Sequence, residues 1–138
     1  MEAKQAGGCL CGGIRFEIDR AAVISAHHCH CTDCQRSTGC AFATFCMVPE
    51  SAFQVLSGEA RFYTVKGATG GEVNRGFCAN CGSPLFSRVD MAPGVLFVKA
   101  GALDDASWVE PESSFWVESA QLWAQPADGI PAIEGNPG

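Results

Sequence analysis

The run Cys9-Leu10-Cys11-Gly12-Gly13-Ile14-Arg15-Phe16-Glu17-Ile18-Asp19 carries two signals at once. Ile14, Phe16 and Ile18 alternate with Arg15, Glu17 and Asp19, the period of a strand with one buried face. Directly before them Cys9 and Cys11 form a C-x-C. The matching half stands far downstream, in Phe77-Cys78-Ala79-Asn80-Cys81-Gly82-Ser83-Pro84. A C-x-x-C lets two thiolates face one ion while N–H groups of the tight turn point at the sulfurs. Gly82 suits the positive φ that such a knuckle needs. Cys9, Cys11, Cys78 and Cys81 together supply four thiolates, the closed tetrahedral set of a structural zinc. That ion would staple the first strand to a late hairpin, a gain for a small β domain with a modest core. A redox role for Cys78 and Cys81 fits less well, because such pairs open a helix in a βαβ context that is missing here.

Outward from this run the chain reads as short strands. Val23 to His28, Phe42 to Val48, Phe53 to Leu56, Arg61 to Val65, Val73 to Phe77, Leu85 to Val89 and Val95 to Ala100 are bounded by Gly, Pro or Asn. Ser114 to Trp123 reads as a last strand or pair of strands. Helix signals are few. Thr32 or Asp33 is expected to cap a short turn through Arg36 that stops near Gly39, and Leu103 to Ala106 is a second helical turn. The tail from Gln125 holds three prolines and three glycines, so a loosely held end is expected. The fold class is mainly β, sandwich-like or barrel-like.

The segment His28-Cys29-His30-Cys31-Thr32-Asp33-Cys34 sets three thiols as C-x-C-x-x-C. They can converge on one ion. His30 lies between two ligands and points the other way in an extended stretch. His28, Cys40 and Cys46 stand open as fourth ligands. A vacant fourth position separates a catalytic zinc from a structural one. Zinc there takes up a thiolate readily, lowers the thiol's pKa and orients it toward an electrophile. A redox-active or purely structural cluster is the competing reading, with Cys31 and Cys34 able to close a disulfide. Lower metal occupancy is expected here than at the four-thiolate set.

The totals set the frame. A chain of 138 residues, 47% apolar and 17% charged, is one folding domain over 1–138. Nine basic against fifteen acidic residues give a net charge of −6, with no basic cluster, which argues against nucleic acid or an anionic membrane as partner. No apolar run has the length of a membrane-spanning helix. Met1 to Gly7 is polar and unlike a secretory signal, so a cytoplasmic location is expected. Nine cysteines, an odd number, then point to metal or catalysis rather than cross-links.

Three motifs carry a family resemblance: Gly8-Cys9-Leu10-Cys11-Gly12-Gly13-Ile14-Arg15-Phe16, Cys29-His30-Cys31-Thr32-Asp33-Cys34-Gln35-Arg36 and Phe77-Cys78-Ala79-Asn80-Cys81-Gly82-Ser83. With Val95 to Leu103 and Phe115 to Trp123, the chain resembles the glutathione-dependent formaldehyde-activating enzymes from Gly7 to about Trp123, leaving 124–138 as a tail. The resemblance implies a fold of several coiled antiparallel β-sheets shared with Rab-interacting zinc proteins and methionine-R-sulfoxide reductases. It implies a structural zinc on Cys9, Cys11, Cys78 and Cys81 and a catalytic zinc on Cys29, Cys31 and Cys34. It also implies a carbon–sulfur lyase that condenses formaldehyde with glutathione to S-(hydroxymethyl)glutathione. A homo-oligomer is a separate expectation. Gln35 stands where many relatives carry a basic residue, and Cys40 where a small residue is usual; both bear on substrate choice.

An anionic thiol such as glutathione needs cations near the site. Arg36, Lys66, Arg75 and Arg88 are the candidates, and Phe42, Phe45, Trp116 and Trp123 are core or pocket aromatics. The main competing function is a non-catalytic zinc-binding or chaperone-like interaction module. Sulfoxide reduction needs a late nucleophilic cysteine, and none follows Cys81.

Overall fold

The computed structural model describes residues 4–67 and 70–136. In these residues the chain forms β1 (Lys4–Gly8), β2 (Arg15–Asp19), β3 (Ser25–Cys29), β4 (Ala43–Pro49), β5 (Phe53–Ser57), β6 (Arg61–Lys66), β7 (Glu72–Phe77), β8 (Pro84–Val89), β9 (Val95–Lys99) and β10 (Ser113–Phe115). The helix α1 (Thr32–Thr38) lies between β3 and β4. β1, β2 and β5 make one sheet; the other runs β10-β3-β4-β9-β8-β7-β6. The chain is therefore mainly β, in two sheets. No helix among the described residues is long and apolar enough to cross a membrane.

Strand parity sorts the larger sheet into two faces, because successive side chains point to opposite sides. Ala26, Cys46, Val98, Phe86, Gly76 and Phe62 lie in register across six strands. The first four of them are buried in the main core with Phe16 and Ile18 of the smaller sheet. Phe53 joins the layers, its ring 5.2 Å from Phe16 and 4.8 Å from Phe86. The expected alternation of β2 is thus realised, with Phe16 and Ile18 fully buried. The opposite face carries His27, Phe45 and Lys99 in one row and Tyr63, Arg75, Ser87 and Phe97 in the next. This second face supports α1 and a smaller core of Cys29, Cys34, Ala43, Phe45 and Phe115.

Several expectations need correction. The helix is capped by Cys31 rather than Thr32 or Asp33, its sulfur accepting the Cys34 N–H at 3.2 Å. Gly39 ends it at φ 69°, the left-handed conformation that suits glycine. The turn expected at Leu103 to Ala106 is a 3-10 turn at Ala100–Ala102, and Leu103 instead bridges to Gly7. The last strand is only Ser113–Phe115, and it pairs parallel with β3 where antiparallel sheets were expected. Trp116 at φ 56° turns the chain out of that strand. The tail is also held, against the loose end expected from its composition. Ile133 donates to the Ser114 carbonyl at 2.8 Å, Ser114 to the Pro131 carbonyl at 2.9 Å, and Val117 to the Ile133 carbonyl at 3.1 Å. The parallel strand leaves free backbone groups, and residues 131–136 satisfy them.

Candidate metal centres

The four-cysteine cluster assembles where the loop before β2 meets the turn between β7 and β8. Gly12 N–H closes the first turn on the Cys9 carbonyl at 3.0 Å, and Gly82 N–H closes the second on the Cys78 carbonyl at 2.8 Å. Gly82 sits at φ 81°, as the knuckle reading requires. The four sulfurs lie within 4.8 Å of one another. Zinc–sulfur bonds of about 2.3 Å place tetrahedral sulfurs about 3.8 Å apart. Cys9 and Cys11 are 3.6 Å apart and Cys11 and Cys78 3.8 Å, so the donor set fits that ion.

Backbone dipoles prepare the sulfurs for a cation. Ile14 N–H donates to the Cys9 sulfur at 3.2 Å and lowers its pKa. The Ser83 hydroxyl, the Ser83 N–H and the Cys11 N–H hold Cys81 down to about 5. Ser83 also accepts the Leu10 N–H at 3.0 Å, so one hydroxyl ties both cysteine turns together. Sequence reading passed over this serine, although its place two residues after Cys81 was a usable signal.

The three-cysteine cluster is built differently. Cys29 ends β3, Cys31 caps α1 and Cys34 is in the first turn of α1, facing inward and buried. Their sulfurs also lie within 4.8 Å of one another, and among the described residues no fourth Cys, His, Asp or Glu ligand atom joins them. The three proposed alternatives are accounted for. His28 Nδ1 bonds to Thr44 Oγ1 at 2.7 Å. Cys40 is exposed. Cys46 falls on the opposite face of β4, fully buried in the main core, where burial pushes its thiol up to about 11. His30 is buried with its ring 5.0 Å from Phe42, turned away from the sulfurs as its parity implies.

Charge at this cluster is uneven. Hydrogen bonds from Cys29 and Cys31 favour the thiolate of Cys34, and the positive charges of Lys99 and Arg75 add to them against burial. The same crowding, led by Cys31, pushes Cys29 upward. Arg75 Nη2 lies 3.9 Å from the Cys34 sulfur. Lys99 was not among the sequence candidates; burial pulls its pKa down, and the sulfur of Cys34 pulls it back up.

The other candidate cations are elsewhere. Arg88 pairs with Glu50 at 3.0 Å. Lys66 sits at the exposed end of β6. Arg36 lines a separate open cleft of about 540 Å³ with Gln35, Cys40, Gln121 and Trp123. Gln35 serves the backbone there, donating to the His30 carbonyl at 2.7 Å and the Ser119 carbonyl at 3.0 Å. Among the aromatics, Phe45 packs in the smaller core, while Trp123 is exposed.

Known proteins share this framework. A family described as glutathione-dependent formaldehyde-activating enzyme matches residues 4–119. A Penicillium rubens protein is 30% identical over 122 residues, covering 83% of this chain and 62% of its own length. A Phaeosphaeria nodorum protein is 26% identical over 129 residues, covering 91% of this chain and 67% of its own. Both are provisionally named as glutathione-dependent formaldehyde-activating enzymes, and this chain spans about two thirds of their length. A crystal structure of a Rhodobacter sphaeroides protein superposes with a TM-score of 0.60 at 20% identity, covering 92% of this chain and 98% of that one, which shows a shared fold. Cysteine framework, fold and family match agree: this chain belongs to the glutathione-dependent formaldehyde-activating enzyme family.

Proposed function

We propose that this chain is a zinc-dependent carbon–sulfur lyase-like enzyme that joins or parts a small thiol and a small aldehyde, in the manner of S-(hydroxymethyl)glutathione synthase. The observation that carries the reading is a converged set of Cys29, Cys31 and Cys34 with no fourth protein ligand among the described residues. Cys9, Cys11, Cys78 and Cys81 would hold a structural zinc, and Cys29, Cys31 and Cys34 the catalytic one. When bound at the three cysteines, zinc supplies a Lewis acid that lowers the pKa of an incoming thiol and orients its sulfur.

The chain's own residues supply the surroundings. Arg75 and Lys99 put positive charge beside the sulfurs. Phe45 and Phe115 pack behind the cluster and keep water from that side. In the condensing direction the thiol sulfur bonds to the aldehyde carbon, the carbonyl π pair moves to oxygen, and the thiol proton ends on that oxygen. The reverse parts the same C–S bond.

The test uses two readouts. Cobalt-substituted protein titrated with glutathione should gain sulfur-to-metal absorption, and carbon-13 formaldehyde should convert to the hydroxymethyl adduct faster than without protein. Cys31→Ser should lose both. An unchanged cobalt spectrum together with an uncatalysed rate would refute the enzyme reading. The second reading, an interaction module, is favoured by the exposed Leu122 and Trp123, the latter on the wide cleft.

A further inference from the structure

The seven-stranded sheet has two edges, and the chain treats them differently. At one end β10 is closed by residues 131–136, whose backbone bonds to Ser114, Trp116 and Val117. At the other end β6 stands open. Its ladder with β7 fixes which backbone groups are left over. Gly67 N–H donates to the Gly71 carbonyl at 2.7 Å and closes the hairpin on a hydrogen-bonded pair. The ladder alternates from there, so Val65, Tyr63 and Arg61 turn their backbone groups toward β7. Phe62, Thr64 and Lys66 turn theirs outward, and among the described residues these groups have no backbone partner.

The devices that usually blunt such an edge are missing. β6 contains no proline or glycine, its pairing with β7 shows no bulge, and Phe62, Tyr63, Thr64 and Val65 fill its centre. Its charges, Arg61 and Lys66, sit at the two ends. Exposed apolar side chains cluster in this part of the chain. Phe62 and Tyr63 belong to β6. Val55 and Leu56 belong to β5, the edge of the smaller sheet, which joins β6 through 58–60 alone.

The sequence of β6 suits pairing with itself. Outward groups meet only outward groups, so an antiparallel pair must join even-numbered residues to even-numbered ones. That parity forbids the full overlap of β6 with a second β6, in which Arg61 would stand opposite Lys66 twice. One step away, Tyr63 falls on a two-fold axis and faces Tyr63 of the second copy. Phe62 then faces Thr64, and Arg61 faces Val65. No like charges are opposed in this register. Phe62 and Thr64 exchange backbone hydrogen bonds with their counterparts, and the tyrosines meet where strand pairs bring side chains closest.

We infer that β6 is the docking edge for a second copy of this chain, paired antiparallel about Tyr63, so that the larger sheet runs unbroken through both copies. The two-fold axis stands perpendicular to the sheet, and both three-cysteine clusters fall on one face of the assembly. The pairing is independent of what the three-cysteine site binds.

Sedimentation equilibrium of zinc-replete, full-length protein, with amide hydrogen exchange read residue by residue, tests the pairing. A dimer is expected, in which the Phe62 and Thr64 amides exchange about tenfold or more slowly than in the dilute monomer. Thr64→Pro removes an outward N–H, a change that an edge strand tolerates, and should leave a folded monomer. Tyr63→Lys sets two ammonium groups face to face and should weaken dimerisation about tenfold or more. A chain that stays monomeric at every concentration overturns the inference. So does a dimer whose Phe62 and Thr64 amides exchange as fast as in the monomer, or one that Tyr63→Lys leaves unweakened. Should circular dichroism show that Thr64→Pro unfolds the chain, Tyr63→Lys and the exchange pattern decide.

Discussion

The two cysteine clusters differ in how far the chain must travel to make them. The four-sulfur cluster joins Cys9 and Cys11 to Cys78 and Cys81, with its inner members 67 positions apart in sequence. The three-sulfur cluster is drawn from a single stretch between Cys29 and Cys34. At the first, N–H groups and a serine hydroxyl surround the sulfurs; at the second, two cations with no acidic partner among the described residues stand beside them. An ion at the first closes a long loop and ties both sheets, so its binding energy becomes folding energy. An ion at the second closes almost no loop and leaves the fold little changed, which frees that position to exchange ligands. On the proposed reading, distance along the chain, more than the number of sulfurs, would separate a stabilising site from a reactive one.

The sharpest way to break this contrast is a pair of substitutions. Cys78→Ser should cost on the order of 4 kcal/mol or more of folding stability. Cys31→Ser should stay within about 1 kcal/mol of the unmodified chain, since serine keeps an N-cap acceptor for the Cys34 N–H. Thermal melts of metal-replete protein measure both, and equal losses would erase the distinction. A smaller effect is expected at Ser83→Ala. It removes the hydroxyl between Leu10 N–H and the Cys81 sulfur and should weaken metal binding at the first site about tenfold, read by chelator competition. Thiol titration at the second site should be untouched by that change. The smallest effect is expected at Arg88→Gln, whose ion pair with Glu50 is half exposed on both sides. Its loss should cost under about 0.5 kcal/mol in a denaturant titration. A drop in thiol affinity there would return Arg88 to the site, although its strand parity with Phe86 puts it on the other face of the sheet.

Much of this was legible in the sequence where chemistry is local. Cysteine spacing disclosed both clusters, and the alternation around Phe16 disclosed β2. Strands with an apolar pattern announced themselves; a strand without one did not, and the length and partner of the last strand were hidden too. β1 is Lys-Gln-Ala-Gly-Gly and shows no alternation, yet it pairs along its whole length with β2. β10 has three residues, and its parallel partner β3 lies far upstream. The role of Lys99 was hidden for a related reason: a lysine at the end of an apolar strand looks like a solvated terminus. Only its register opposite Phe45 and its nearness to Arg75 turn it toward the sulfurs. Cys46 shows the converse, since proximity in sequence suggested a ligand and strand parity put it behind the sheet.

The interleaved order of the two clusters also sets a timetable for synthesis. A ribosome releases Cys29, Cys31 and Cys34 well before Cys78 and Cys81, so all three thiols of the second cluster are present while Cys9 and Cys11 still wait for their partners. Under the proposed two-site reading, the nascent chain would meet the cell's metal supply first at its exchangeable position. The structural ion of that reading would come last, once the β7–β8 hairpin has emerged, and until then the first two sulfurs would need a reducing environment to remain available.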